Sequence, residues 1–300
     1  MTSAERLHDT LRRIDGRSYP AYRDIEGTWE LPELDLIVDH VQGDPFAAPS
    51  AVRIRVPGEW LPADLQDPDR RLALEDWLLR RFAQGLQSER RGSGKSGMIE
   101  VYRPGPEVVE RSALRVDRRT GTVEVRLRVG LPARGRRVLG RQAHELLTGD
   151  LPRAARSLCT APGLQEHTHS VARQRALRRA LEPAGLVAFV ADGSVLPRAS
   201  GVRQEPLQGA VPFQSPPELR VTLDTPLGSA TGMGVPAGVT VIVGGGFHGK
   251  STVLAALQRG HMDHVPGDGR EGVVARPDTV KVRAEDGRSV CRTDIGLFLG

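Results

Sequence analysis

The sequence predicts an α/β protein in two parts, an α+β domain over residues 1–162 and an α/β domain over 163–300. Three observations carry this. Strand-like and helix-like stretches alternate along the whole chain instead of segregating into blocks. A short turn-rich break, Thr160-Ala161-Pro162-Gly163, interrupts them near the middle. Further on, the β-branched run Val239-Thr240-Val241-Ile242-Val243 leads through a glycine-rich turn into a helical pattern.

The elements follow in order. Ser3 is the expected N-cap of a short helix with Leu7, Leu11 and Ile14 on one face and Gly16 as its stop. Leu34–Val41 and Val52–Val56 read as strands, and Asp69–Leu86 as a helix carrying Leu72, Trp77, Leu78 and Phe82. Met98–Tyr102 and the strictly alternating Val123–Val129 are further strands. Gln142–Leu147 and Gln165–Leu181 are helical, and Leu186–Val190 is a buried strand ended by Asp192-Gly193. Pro197–Pro217, rich in Pro, Gly and Ser, is either a second boundary or a loop within the second domain. Val239–Val243 is expected as a buried strand, followed by a helix through Val253, Leu254 and Leu257 that Gly260 stops.

Composition narrows the class. Hydrophobic residues make up 39% and charged residues 26% of 300, ordinary for a globular chain able to bury a sizeable core. No apolar run reaches membrane-spanning length and the first residues lack a signal-peptide core, so a cytoplasmic, non-membrane protein is expected. Cys159 and Cys291 lack metal-ligand spacing and read as free thiols. Residues 218–300 carry nine Lys or Arg and nine Asp or Glu, so the whole +5 excess lies in residues 1–217. That excess is either the footprint of an anionic partner or an arginine-rich composition bias.

The chemistry concentrates at Gly244-Gly245-Gly246-Phe247-His248-Gly249-Lys250-Ser251-Thr252, which satisfies GxxxxGK[ST] between a strand and a helix. Glycines allow positive φ and close approach to phosphate oxygens. The backbone N–H groups form an anion nest at the positive end of a helix. Lys250 is placed to reach the β- and γ-phosphates, and Ser251 to ligate Mg²⁺. These nine residues are the candidate site for ATP, with no catalytic residue assigned. Phe213 is the nearest upstream aromatic for an adenine base, although packing is its commoner use.

A second glycine–lysine cluster, Arg90-Arg91-Gly92-Ser93-Gly94-Lys95-Ser96-Gly97, fails the spacing because Glu89 stands where the first glycine belongs. It is read either as a flexible basic loop for a nucleic-acid backbone, through Arg90, Arg91 and Lys95, or as a solvated hairpin. Pro266–Glu271 reads as a charged turn in which Asp268 or Glu271 approaches bound Mg²⁺ or, more commonly, faces solvent. The histidines at 248, 261 and 264 lack a metal-ligand framework.

Beyond the loop, several blocks resemble the predicted ATPases of the ABC class, a group distinct from transporter subunits. They are Arg91–Gly97, Gly130-Leu131-Pro132-Ala133-Arg134-Gly135-Arg136, Leu186–Val190 and Leu196-Pro197-Arg198. Gly232–Pro236, the phosphate loop, Gly267–Glu271 and Arg283–Arg288 continue the match. The resemblance implies a P-loop NTPase of ABC type behind an N-terminal domain, with homodimerisation through the ATPase domains. A trypanosome mitochondrial relative with an RNA-processing role further implies that flanking domains can bind RNA. Pro106 stands where the family tends to carry Gln, and Phe247 where it often carries Tyr. The family's signature and Walker B segments have no counterpart before Gly300. The nucleotide-binding domain is therefore expected to be incomplete, and this chain a fragment that does not hydrolyse ATP usefully alone. The competing readings are a nucleotide-gated RNA- or DNA-binding protein and, last, a small-molecule kinase.

Overall fold

The computed structural model describes residues 1–59, 61, 68–159, 162–282 and 294. Helix α1 (Ser3–Ile14) is capped one residue earlier than the sequence suggests. Thr2 Oγ1 accepts the Glu5 N–H at 3.2 Å, and the Glu5 carboxylate accepts the Thr2 N–H at 2.7 Å. This reciprocal box satisfies two orphan donors where a lone serine satisfies one. Ser3 Oγ instead accepts the Glu30 N–H. Leu7, Leu11 and Ile14 are fully buried, as their spacing requires.

The chain continues through β1 (Gly27–Glu30), β2 (Asp35–His40), β3 (Ser50–Val56), helix α2 (Pro68–Gly85), β4 (Ile99–Glu100), β5 (Glu107–Val108), β6 (Leu114–Val116) and β7 (Val123–Val129). All but β5 form one antiparallel sheet in the order β1-β2-β3-β7-β4, with β6 also on β7. Register between β3 and β7 is unbroken from Ser50↔Val129 to Val56↔Val123. Val52, Ile54, Val123, Val125 and Leu127 therefore share one face, which packs on α1, α2 and the segment Leu146–Leu158. The short pair β8 (Ala133–Arg134) and β9 (Arg137–Val138) precedes α3 (Gly140–Glu145), one π-type turn and α4 (Leu151–Arg156).

The second part comprises α5 (Leu164–Leu181), β10 (Leu186–Ala191), β11 (Arg220–Leu223), β12 (Ala230–Pro236), α6 (Lys250–Arg259), β13 (Asp263–His264) and β14 (Val273–Ala275). Its sheet runs β11-β12-β10-β14 and is antiparallel throughout. Helix α5 covers one face through Leu177 and Leu181, and α6 the other through Ala256. The two parts are knit by a ladder between β5 and β13 and by the packing of Ala73, Val108 and Val171.

Val239–Val243 is not the buried strand its composition predicts. It has no strand partner and lies exposed, with Val239 at 97% and Val243 at 80%. β-Branched residues favour a strand only where a neighbouring strand and a covering layer exist. The four-stranded sheet supplies neither at this point. Thr160-Ala161 of the expected break, Arg283–Arg288, Cys291 and Leu297–Leu299 lie outside the described residues. Among the described residues no helix is long and apolar enough to cross a membrane.

The candidate phosphate-binding loop

Gly249 takes a left-handed conformation (φ 80°) immediately before Lys250, the first residue of α6. Gly244 also has positive φ, at 149°, and so does Phe247, at 62°. Phe247 is non-glycine and its ring is fully exposed, so no packing offsets its backbone strain. The Lys250 ammonium folds back over the loop. Nζ donates to the Gly244 carbonyl at 2.6 Å and to the Gly245 carbonyl as well. The His248 ring lies against the same two glycines. A Cβ on Gly245 would sit 3.1 Å from His248 Cε1, so this approach requires glycine or a shift of the ring.

Lys250, Gly244, Gly245 and His248 are thus brought together, with Gly246 and Gly249 on the same exposed turn. Ser251 follows in the first turn of α6, exposed, and its hydroxyl makes no hydrogen bond among the described residues. Thr252 is half-buried. Ala256 anchors the helix against Val190, Leu196 and Val273, and Phe213 packs on that cluster rather than beside the loop. Gly260 ends α6 with φ −63°, not in the left-handed form. Close approach favours glycine there, since a Cβ would stand 3.0 Å from the Ala275 nitrogen and press on β14.

Two readings of the flanking motifs need correction. Residues 91–97 form a pinned turn, not a flexible loop or a solvated hairpin. Ser93 N–H donates to Ala133 O at 2.8 Å, Gly97 N–H to Gly130 O at 2.7 Å, and Ala133 N–H to Ser96 Oγ at 3.0 Å. Arg91 is paired with Asp150 at 2.7 Å, Lys95 is half-buried and Arg90 is exposed. The glycines serve close backbone approach: a Cβ on Gly130 would fall 1.8 Å from Lys95 O.

Asp268 is likewise buried rather than at a solvated tip. Arg198 Nη2 donates to its Oδ2 at 2.8 Å, and His264 Nδ1 lies 2.8 Å from the same oxygen. Burial opposes the charged form of Asp268, but His264 and Arg198 outweigh it and hold the carboxyl below the usual range. Arg270 is buried beside it, with Nε on Leu196 O at 3.0 Å; burial and Arg198 push its guanidinium down to about 10, still charged at neutral pH. Leu196–Arg198 and Gly267–Glu271 are therefore tied together through the buried Asp268 and Arg270, and Leu196 packs with Ala256 of α6.

Residues 4–161 match the N-terminal domain of ATPases of the ABC class, and residues 160–300 match the P-loop domain of the same class. The chain belongs to the ABC-class ATPases. Its second part is accordingly a P-loop domain, a class that binds nucleotide. An uncharacterized protein of the archaeon Methanocaldococcus jannaschii is 30% identical over 144 residues, covering 45% of this chain and 32% of that protein. The chain thus spans about a third of the curated relative it matches. In this ABC-class ATPase the pinning of the motif blocks is invisible to local sequence pattern. Blocks 91–97 and 130–133 lie too far apart in sequence for local spacing to reveal their contact.

Proposed function

We propose that residues 244–252 bind MgATP, with the boundary between the N-terminal and nucleotide domains at residues 162–163. The observation carrying this is the Lys250 ammonium held over the Gly244 and Gly245 carbonyls at the N-terminus of α6. Those carbonyls are weak partners for a cation, and a polyphosphate offers better ones. On binding, Lys250 exchanges them for β- and γ-phosphate oxygens. The N–H groups of Gly244, Gly245, Gly246, Phe247, His248 and Gly249 supply the nest, and the α6 dipole adds to it. The free Ser251 hydroxyl in the first turn fits a Mg²⁺ ligand, and the metal when bound offsets phosphate charge. Hydrolysis in this reading also calls for an acidic strand end, a signature segment and the pairing of two ATPase domains.

The test is equilibrium binding of a fluorescent ATP analogue with Mg²⁺ to the wild-type chain and to Lys250→Ala. Binding lost in the variant supports the reading. Equal binding by both overturns it.

A second reading, RNA or single-stranded DNA binding by the N-terminal part, is favoured by a groove of about 1050 Å³ on the outer face of its sheet. Arg103 and Arg128 line it, exposed and in no ion pair among the described residues, together with Glu100, opposite Arg128 in the sheet, and Tyr102, whose ring Arg111 covers at 5.4 Å. Arg91, paired with Asp150, contributes less to such a surface than its sequence context suggests. Salt-dependent oligonucleotide binding that Arg103→Ala and Arg128→Ala weaken supports this reading, and binding unchanged in both variants removes it.

A further inference from the structure

Helix α6 has a second charged end. Arg259, in its last turn, donates through Nη1 to the Glu107 carboxylate and to Gln204 Oε1 at 2.8 Å. Glu107 belongs to β5, in the N-terminal part of the chain. Its backbone carbonyl accepts from Arg111 Nη2 at 2.8 Å and from Arg80 Nη2 at 3.2 Å. Both guanidiniums also bind Asp76, each at 2.6 Å, and the Asp76 side chain is fully buried. His167 of α5 closes the group, with Nε2 3.2 Å from Asp76 Oδ2.

The residues just after α6 are pinned to the same strand. Asp263 and His264 pair with Val108 and Glu107, and the Val265 N–H donates to the Pro106 carbonyl at 2.9 Å. Pro106 has no N–H to return. The contact therefore uses an acceptor only, and the Arg259–Glu107 pair is the charged tie beside it.

A ten-residue helix is about 15 Å long. Lys250 and Arg259 therefore stand at the two ends of one short helix. Beside Arg259 lies an open pocket of about 750 Å³, lined by Tyr102, Glu107, Gln258 and His261 among others.

We propose that Arg259 and Glu107 are positioning residues for the phosphate loop, coupling its occupancy to the N-terminal part around β5. The proposal rests on the nucleotide-binding reading above. Their ion pair sets the seating of α6, and hence where the Lys250 ammonium stands over the loop. Because coupling between two sites is reciprocal, nucleotide must alter the local stability of residues 105–111 as much as those residues alter affinity.

Two measurements on the full chain test it. The first is affinity for the fluorescent ATP analogue with Mg²⁺ in Glu107→Gln, Arg259→Gln and the charge-swapped double variant Glu107→Arg with Arg259→Glu. Each single variant is expected to bind about five- to tenfold more weakly, with recovery in the swap. A purely structural tie would lower unfolding midpoints and leave affinity unchanged. The second, which needs no variant, is amide hydrogen exchange with and without nucleotide; slowed exchange at residues 105–111 is expected. Unchanged affinity in the single variants, or exchange there indifferent to nucleotide, overturns the proposal. Lys250→Ala separates the layers. If it alone loses binding, the coupling fails and the nucleotide site stands; if it binds as wild type, both fail.

Discussion

Gln174 Nε2 donates to the His264 carbonyl at 2.7 Å, and Gln174 Oε1 accepts the His264 N–H at 2.7 Å. The side-chain amide from α5 thus stands in for a neighbouring strand along the free edge of β13, whose other edge pairs with β5. Gln174 and His264 are both buried, so neither backbone group has water as an alternative. Gln174→Leu, close in volume, is expected to cost about 2 kcal/mol in urea unfolding, because a buried N–H and C=O are left unpaired.

Lys250→Ala is expected to leave the ligand-free protein within about 0.5 kcal/mol of wild type, since only exposed loop carbonyls lose a partner. The thermal shift on adding the ATP analogue separates the two. Wild type at a hundredfold excess over Kd gains about 2.7 kcal/mol. The variant gains none.

Glycine-to-alanine changes divide by what surrounds them. Gly130→Ala places a Cβ within 1.8 Å of Lys95 O and is expected to lose more than about 3 kcal/mol or fail to fold. Gly149→Ala meets nothing within 4 Å and has no positive φ, so it is expected to be neutral or stabilising by up to about 1 kcal/mol. Circular dichroism melts of the pair check the contrast.

Acid should weaken the fold at two carboxylates. For Asp76 and Asp268 burial raises the pKa, but the contacts from His167 and Arg80, and from His264 and Arg198, outweigh it and leave both depressed. Depressed carboxylates bind fewer protons folded than unfolded. Their stabilisation is complete above the ordinary value of about 3.9 and is lost as pH falls through the folded values. Urea midpoints from pH 7 to pH 3 should therefore drop most steeply below about pH 4. In Asp268→Asn, less stable at neutral pH, that acid slope should be shallower.

Where local pattern decides conformation, the sequence is a good guide. Leu7, Leu11 and Ile14 on α1, and the alternation of β7, needed only periodicity. The glycine-rich turn before α6 is visible in its motif, and there Lys250 folds back onto Gly244. Strand β12 was not legible, because Gly232 and Gly234 remove the β-branched signal. They are required there: a Cβ on Gly232 would lie 2.2 Å from Val190 O in the neighbouring strand. The turn at residues 91–97 is hidden for the same reason, since its glycines answer to Ala133, Pro45 and Glu89, far away in sequence or invisible to local pattern. Val239–Val243 failed in the opposite direction, with a strong local signal and no neighbour to satisfy it.

That last difference is measurable. Val241 is 73% exposed, so Val241→Lys is expected to change stability by less than about 0.5 kcal/mol, where a buried strand position would lose several. Urea unfolding of the single variant distinguishes the two.

The same five residues bear on how the protein behaves in a tube. An uncharged β-branched segment with free backbone donors and acceptors is a template for cross-β stacking between molecules. Concentrated solutions of this chain should therefore seed thioflavin-positive fibrils from residues 239–243 on standing. A lysine at position 241 should break that seed while leaving each separate molecule as it was.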